Sequence, residues 1–395
     1  MPVARRWAAA ALGAAVVGCA AGARIELAPV IDPGGKVATS VFLVGDAGAA
    51  GPGDRVLAEL VRQARLAPPQ STVVFLGDNV YPRGIPEDTA AGFPEARRRL
   101  LAQAAVADSS GLRVIFVPGN HDWDRQREPG WAQIQRQGRL LHDYAADRKV
   151  AVELQPAGGC PGPVVTDLGL VRLVAVDTQW WLHSGSRPGR ATDQVARSMP
   201  DQSLRCSITT EVGLLDSLRV IHASSADRVT IMVGHHPLES HGEHGGHHPW
   251  IEYLLPLVPT PIARWAWLPI GWIYPLGRRL VGDRQDLVGA ENRRMRRAIE
   301  GTFSAQSPFI YASGHDHSLE VIRRGPGRFI LVSGSGIEHH QTAVGRGDST
   351  AFSSPAPGFM RVDLMADRRI RLDVTLIDQD QVPRQGFAAW LTNAR

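Results

Sequence analysis

The chain has 395 residues, 44% of them hydrophobic and 21% charged, which is enough for one large catalytic domain or two modest ones and too apolar for an unfolded chain. Its formal charge is +4, and without Arg5 and Arg6 the excess of basic over acidic residues falls to two. So weak a surplus makes no case for a nucleic-acid partner.

The chain opens with the pattern of an export signal: basic Arg5-Arg6, the apolar stretch Trp7 to Val17, then small residues. That stretch is far shorter than the roughly 20 apolar residues a membrane span requires. V-V-G-C at 16–19 resembles the bacterial lipoprotein box, which implies a signal peptide over 1–18 and Cys19 as the lipidated first residue of the mature chain. The alternative is an ordinary signal cleaved after A-G-A at 21–23, with Cys19 discarded. The first reading expects a lipid-anchored protein of the cell envelope on a bacterial membrane; the second expects a soluble periplasmic or secreted one. Of the other cysteines, Cys160 and Cys206 form either a disulfide or two buried thiols, and neither has a metal-type spacing.

Six apolar runs share one ending: VFLVGD (41–46), VVFLGD (73–78), VIFVPGNHD (114–122), TIMVGHH (230–236), FIYASGHDH (309–317) and FILVSGSG (329–336), with LVAVDTQ (173–179) a looser seventh. Runs rich in β-branched residues and without polar alternation predict strands covered on both faces. Helical periodicity predicts helices over 54–66, 94–108, 131–147 and 285–303, so strands and helices alternate as in an α/β layered domain. Functional groups in such sheets gather beyond the carboxyl ends of the strands, where each Gly-Asp, Gly-Asn and Gly-His step falls. Alternation in 359–378 around Ala366-Asp367 predicts a closing hairpin.

The polar residues at those ends are Asp46, Asp78, Tyr81, Asn120, His235, His315 and His317, an oxygen and imidazole donor set suited to iron, zinc or manganese. A carboxylate can bridge two cations, and two cations about 3.5–4 Å apart polarise a phosphoryl group and generate a hydroxide nucleophile. The motifs G-D-A-G (45–48), G-D-N-V-Y (77–81), G-N-H-D (119–122), G-H-H-P (234–237) and G-H-D-H (314–317) are similar, in order, to the five metal-binding motifs of purple acid phosphatases, a branch of the calcineurin-like metallophosphoesterases. Gly48 stands where most of that superfamily has the histidine of Asp-x-His, and Tyr81 matches the phenolate ligand that replaces it.

The resemblance implies a four-layer α/β/β/α sandwich over 36–380 with the metal site at the carboxyl ends of the strands. It implies Fe(III) on Asp46, Tyr81 and His317, a bridging Asp78, and a divalent iron, zinc or manganese ion on Asn120, His235 and His315. By the same resemblance His121 contacts the phosphate and assists the leaving oxygen, and His244 is a second catalytic histidine. His236, His241, His247 and His248 crowd the same loop, which reads alternatively as a solvated, metal-sticky surface. Asp316 is expected to orient its loop, and Asp122 to accept from a neighbouring imidazole.

The substrate expected is a small phosphate ester; a phosphodiesterase or nucleotidase on the same core, a hydrolase with two zinc or manganese ions, and a noncatalytic metal-binding surface lipoprotein stand as alternatives. The segment 238–285 is a His- and Trp/Pro-rich insertion, either a lid that restricts substrates or touches the bilayer through its tryptophans and Arg278-Arg279, or a piece packed on the domain's own flank.

Overall fold

The structure, a computed structural model, describes residues 35–391 except 52, 202–204, 226, 248–282, 304–308, 340, 379 and 381. The signal segment with Cys19, the stretch 250–277, Arg278, Arg279 and His248 lie outside the described residues.

Each apolar run contains a strand. β1 (Val37–Val44), β2 (Thr72–Phe75), β3 (Arg113–Phe116) and β4 (Val152–Leu154) run parallel in one sheet. The chain then builds a second sheet from β5 (Val164–Leu168), β6 (Val171–Ala175), β7 (Val229–Val233), β8 (Phe309–Ser313), β9 (Leu319–Arg323), β10 (Arg328–Ser333) and β11 (Thr350–Ser354). Its order is β11-β9-β10-β8-β7-β6-β5, with β6, β7, β8 and β10 parallel at the centre. β12 (Gly358–Met365), β13 (Ile370–Ile377) and β14 (Pro383–Trp390) return antiparallel to the first sheet beside β1. The closing hairpin is therefore β12-β13, and β14 adds a further strand outside it.

Side-chain alternation along β1 separates the layers. Val41 and Leu43 join Val74, Ile115, Ile231, Ile310 and Leu331 in a buried layer between the sheets. Phe42 and Val44 point the other way, into the cluster that holds helix residues. Over the first sheet lie α1 (Arg55–Ala64), α2 (Phe93–Ser110) and α3 (Gly130–Arg148). Asp54 caps α1 by accepting the Leu57 N–H at 3.2 Å, and Val56, Leu60 and Ala64 form its buried face. The second sheet carries α4 (Thr178–Leu182), α6 (Glu211–Ala223) and α7 (Ala290–Glu300), while the short α5 (Asp193–Arg197) buries no side chain; Leu214, Leu218, Met295 and Ile299 share a cluster with Met232, Phe309 and Tyr311. The result is the expected α/β/β/α sandwich.

α7 starts at Ala290 rather than at Gln285 because 283–289 fold as turns around Asp286, whose carboxylate accepts the Asp283 N–H at 2.8 Å. Cys160 and Cys206 form a disulfide that links two loops 46 residues apart.

Cys160→Ser/Cys206→Ser is expected to lower the unfolding free energy by up to about 4 kcal/mol, the loop-closure value for a 46-residue separation, read by guanidinium unfolding. A second expectation concerns pH. Burial between Phe303 and Phe309 holds the His222 imidazole down at about 4, against 6.5 in the unfolded chain. Between those values the unfolded state binds more protons, so stability present above pH 6.5 is lost as pH falls towards 4. His222→Leu should flatten that decline in unfolding midpoint; an unchanged slope would remove His222 from the account.

Candidate metal centre

β1, β2, β3, β7 and β8 all deliver their carboxyl ends to one edge of the sandwich, and the two sheets are stitched together there. Gly45 N–H donates to Ser333 O at 2.7 Å, and Gly336 N–H donates back to Gly45 O at 3.0 Å. Asp46 Oδ2 accepts the His315 N–H at 2.8 Å, and Asp78 Oδ1 accepts the His121 N–H at 2.8 Å. Asp46, Asp78 and His315 sit at φ 60, 53 and 72, values uncommon for residues with a side chain. The main-chain bonds around them hold these strained turns in place.

The seven candidate ligands are brought into one buried group. On one side Tyr81 Oη lies 2.9 Å from Asp46 Oδ1 and 3.1 Å from His317 Nε2, and His317 Nε2 lies 3.3 Å from Asp46 Oδ1. On the other, Asn120 Oδ1 lies 2.8 Å from His235 Nε2 and 3.2 Å from His315 Nδ1, and the two ring nitrogens are 3.2 Å apart. Asp78 stands between, with Oδ1 3.5 Å from His235 Nε2. Gly48 explains why a tyrosine serves here. A Cβ at 48 would fall against the main chain of Asp78 and Asn79, so no histidine fits that backbone, while Tyr81 N–H bonds to Gly48 O at 3.1 Å and its phenol reaches Asp46.

Hydrogen-bond chemistry tests whether these residues suit a cation. His235 Nδ1 faces the Leu76 carbonyl at 2.9 Å and must donate to it, so in the neutral ring the Nε2 lone pair points at the amide oxygen of Asn120, another acceptor. His315 Nε2 and His236 Nε2 are buried without a hydrogen-bond partner. Ligand atoms of Asp46, Asp78 and His235 lie within 4.8 Å of one another, as do those of His235, His236 and His315. Converging lone pairs of this kind fit a positive charge. The site's electrostatics agree. Burial raises Tyr81 well above its ordinary 10, and the Asp46 and Asp78 carboxylates add to the shift. Burial also pushes Asp46 up, but the hydrogen bond and charge of His317 outweigh it and hold the carboxyl below its usual value. Burial drives His315 well down, and its histidine neighbours reinforce that.

His121 lies at the mouth, its ring edge-on to Tyr81 at 4.5 Å, and its Nδ1 donates to Pro82 O at 2.7 Å. Burial lowers its pKa, with Asp78 and the Pro82 bond opposing. Trp123 Nε1 donates to Asp177 Oδ2 at 2.8 Å, and Asp177 also caps α4 through Trp180 N–H at 2.9 Å, so the loop carrying His121 is tied to the second sheet. His244 stacks on the His315 ring at 3.8 Å; its Nδ1 donates to Asp286 Oδ1 at 2.8 Å and its N–H to Asp316 Oδ1 at 2.8 Å, so Asp316 does orient the loop.

Three readings need correcting. Asp122 takes no imidazole: it accepts the main-chain N–H groups of Gly119, Asn79 and Val80 and so shapes the turn itself. Of the histidines described in the loop after β7, His247 is exposed, but His236 and His241 are not a solvated surface. His236 is fully buried, 4.4 Å ring to ring from His315, and His241 Nδ1 pairs with the buried Glu320 at 3.1 Å. Sequence reasoning also missed Asp286 as the partner of His244, because 42 residues separate them; no local signal points to it.

Comparison with known proteins follows this geometry. The structure is similar in fold to GAP50, described as the anchor in the inner membrane complex of Plasmodium, at 14% identity and a TM-score of 0.50 over 89% of each chain. A purple acid phosphatase from yellow lupin (Lupinus luteus) seeds matches at 15% identity and a TM-score of 0.48, over 89% of this chain and 53% of that one. A 5'-nucleotidase from Candida albicans matches at 12% identity and a TM-score of 0.35, over 87% of this chain and 52% of that one. A search of curated protein sequences gives no match. The sequence profile of the calcineurin-like phosphoesterases matches residues 39–260, more than half of the chain and four of its five motifs, and the chain therefore belongs to the calcineurin-like phosphoesterase family.

Proposed function

We propose that the protein hydrolyses phosphate esters at a two-cation centre in the manner of the purple acid phosphatases. Asp46, Tyr81 and His317 would hold a ferric ion, Asn120, His235 and His315 a divalent iron, zinc or manganese ion, with Asp78 available to both. The observation that carries this reading is the meeting of candidate ligand atoms, with the Tyr81 phenol donating to Asp46 at one end and two acceptors, Asn120 Oδ1 and His235 Nε2, facing each other at the other. When bound, the cations supply the charge that polarises phosphoryl oxygens and lowers the pKa of a water.

The chain's own groups do the rest. Asp46 and Asp78 are pinned by the N–H groups of His315 and His121, so the donor set is held before substrate arrives. His121, with Nδ1–H committed to Pro82, turns Nε2 to the mouth; in the imidazolium form Nε2 carries a second proton, which it gives to the leaving oxygen as the ring returns to the neutral form. His244, oriented by Asp286, steers the phosphate from the opposite wall. Kinship in fold with a protein described as an anchor leaves scaffold and enzyme equally open. His121, which no cation needs, favours the enzyme.

We also assign the protein to the outside of the cytoplasm, lipid-anchored through Cys19; the Cys160–Cys206 disulfide supports an oxidising compartment. Mass spectrometry of the mature N-terminus decides between a diacylglyceryl-modified Cys19 and cleavage after Ala23.

Tyr81→Phe is expected to abolish a visible charge-transfer band of the iron-loaded protein; an active, colourless wild type would sink ferric tyrosinate. His121→Asn should reduce kcat on p-nitrophenyl phosphate by about 10²- to 10⁴-fold while metal content stays the same. Unchanged turnover would take His121 out of the proton transfer.

A further inference from the structure

Asp124 and Arg125, just past the G-N-H-D motif, are consecutive residues in the left-handed region, at φ 49 and 61. One such residue with a side chain is uncommon, and two in succession require surroundings that hold them. Those surroundings are present. Arg125 N–H donates to Asn120 O at 2.7 Å, Arg125 O accepts from Gln179 Nε2 at 2.8 Å, and Asp124 N–H donates to His121 O at 3.0 Å.

The pinned main chain sends the Arg125 guanidinium back over the mouth of the site, with Nη2 3.4 Å from His121 Nε2. His121 spends its Nδ1–H on Pro82, so in the neutral ring the guanidinium meets the Nε2 lone pair. Arg83, nearby, is turned towards Asp124 at 3.9 Å, whereas Arg125 is exposed and has no carboxylate within ion-pair distance among the described residues. Among the described residues no carboxylate thus pairs directly with the guanidinium at the point where a substrate would touch His121; Asp124 attracts it only at longer range.

We propose that Arg125 binds the non-bridging oxygens of the substrate's phosphoryl group and selects the dianion of a phosphomonoester over the monoanion of a diester. The assignment rests on the phosphatase reading above. A guanidinium matches two phosphoryl oxygens with its planar fork and stays charged at every working pH. A monoester brings more charge than a diester, close to two negative charges near neutral pH. Binding of the dianion moves the guanidinium from the imidazole lone pair to phosphoryl oxygens, and His121 and Arg125 then face the same group.

The test uses the full metal-loaded chain with Arg125→Gln and Arg125→Lys, assayed on p-nitrophenyl phosphate and bis(p-nitrophenyl) phosphate, with inorganic phosphate binding measured by calorimetry. Arg125→Gln is expected to lower kcat/KM for the monoester by about 10- to 100-fold, the diester by less than about 3-fold, and to weaken phosphate binding by about 10-fold. Arg125→Lys should recover part of each loss. Equal losses on both esters, or phosphate binding unchanged in Arg125→Gln, overturns the assignment to Arg125 and leaves the phosphatase reading standing. A wild type that cleaves neither ester overturns the phosphatase reading, and the assignment falls with it.

Discussion

The imidazole of His235 is committed at both ends. Its Nδ1–H belongs to the Leu76 carbonyl at the end of β2, and its Nε2 is turned on Asn120 at the end of β3, although His235 itself follows β7 in the other sheet. One ring therefore spans the join between the sheets and fixes where donors from both must meet. Gly77, at φ 94, leaves the space that this ring fills; a Cβ there would strike the His235 side chain. Concentrating so many lone pairs in a buried place is costly without a positive charge, and a cation among them offsets the cost.

The supporting parts of the fold are organised around that join. Asp46, Asp78 and His315 adopt left-handed turns that their side chains would ordinarily avoid; the His315 N–H to Asp46 ties two of them across the join, and the His121 N–H holds Asp78 within the first sheet. Asp122 collects main-chain N–H groups from two turns, Asp177 ties Trp123 to α4, and Asp286 anchors His244. Among the described residues these carboxylates bond to turns, to Trp123 and to His244 rather than to the candidate cation ligands. Their work is to keep the turns rigid, so that the donors are already assembled before anything binds.

Family membership and chemistry rest on different grounds. A fold by itself hosts many functions, so layers and strand order alone do not make an enzyme. What separates the readings is side chains at the strand ends: a full donor set, a histidine at the mouth, and an arginine whose main chain is bent to face it.

The sequence by itself determined the strands, the sandwich and which polar residues gather at the strand ends. Runs such as VVFLGD and TIMVGHH are buried on both faces and end in glycine followed by a polar residue, so periodicity and composition suffice to place them. Tyr81 was legible because Gly48 is too, and the structure adds the reason: the main chain of Asp78 and Asn79 fills the space a side chain at 48 would need. The tertiary structure alone decided what depends on distance between residues far apart in the chain. It paired Cys160 with Cys206, set Asp286 beside His244, buried His236 against His315, and showed that Asp122 serves the turn rather than a ring. Local periodicity reports only which way a residue faces within its own element; which group it meets there is set by how the two sheets are stacked and by the turns that join them.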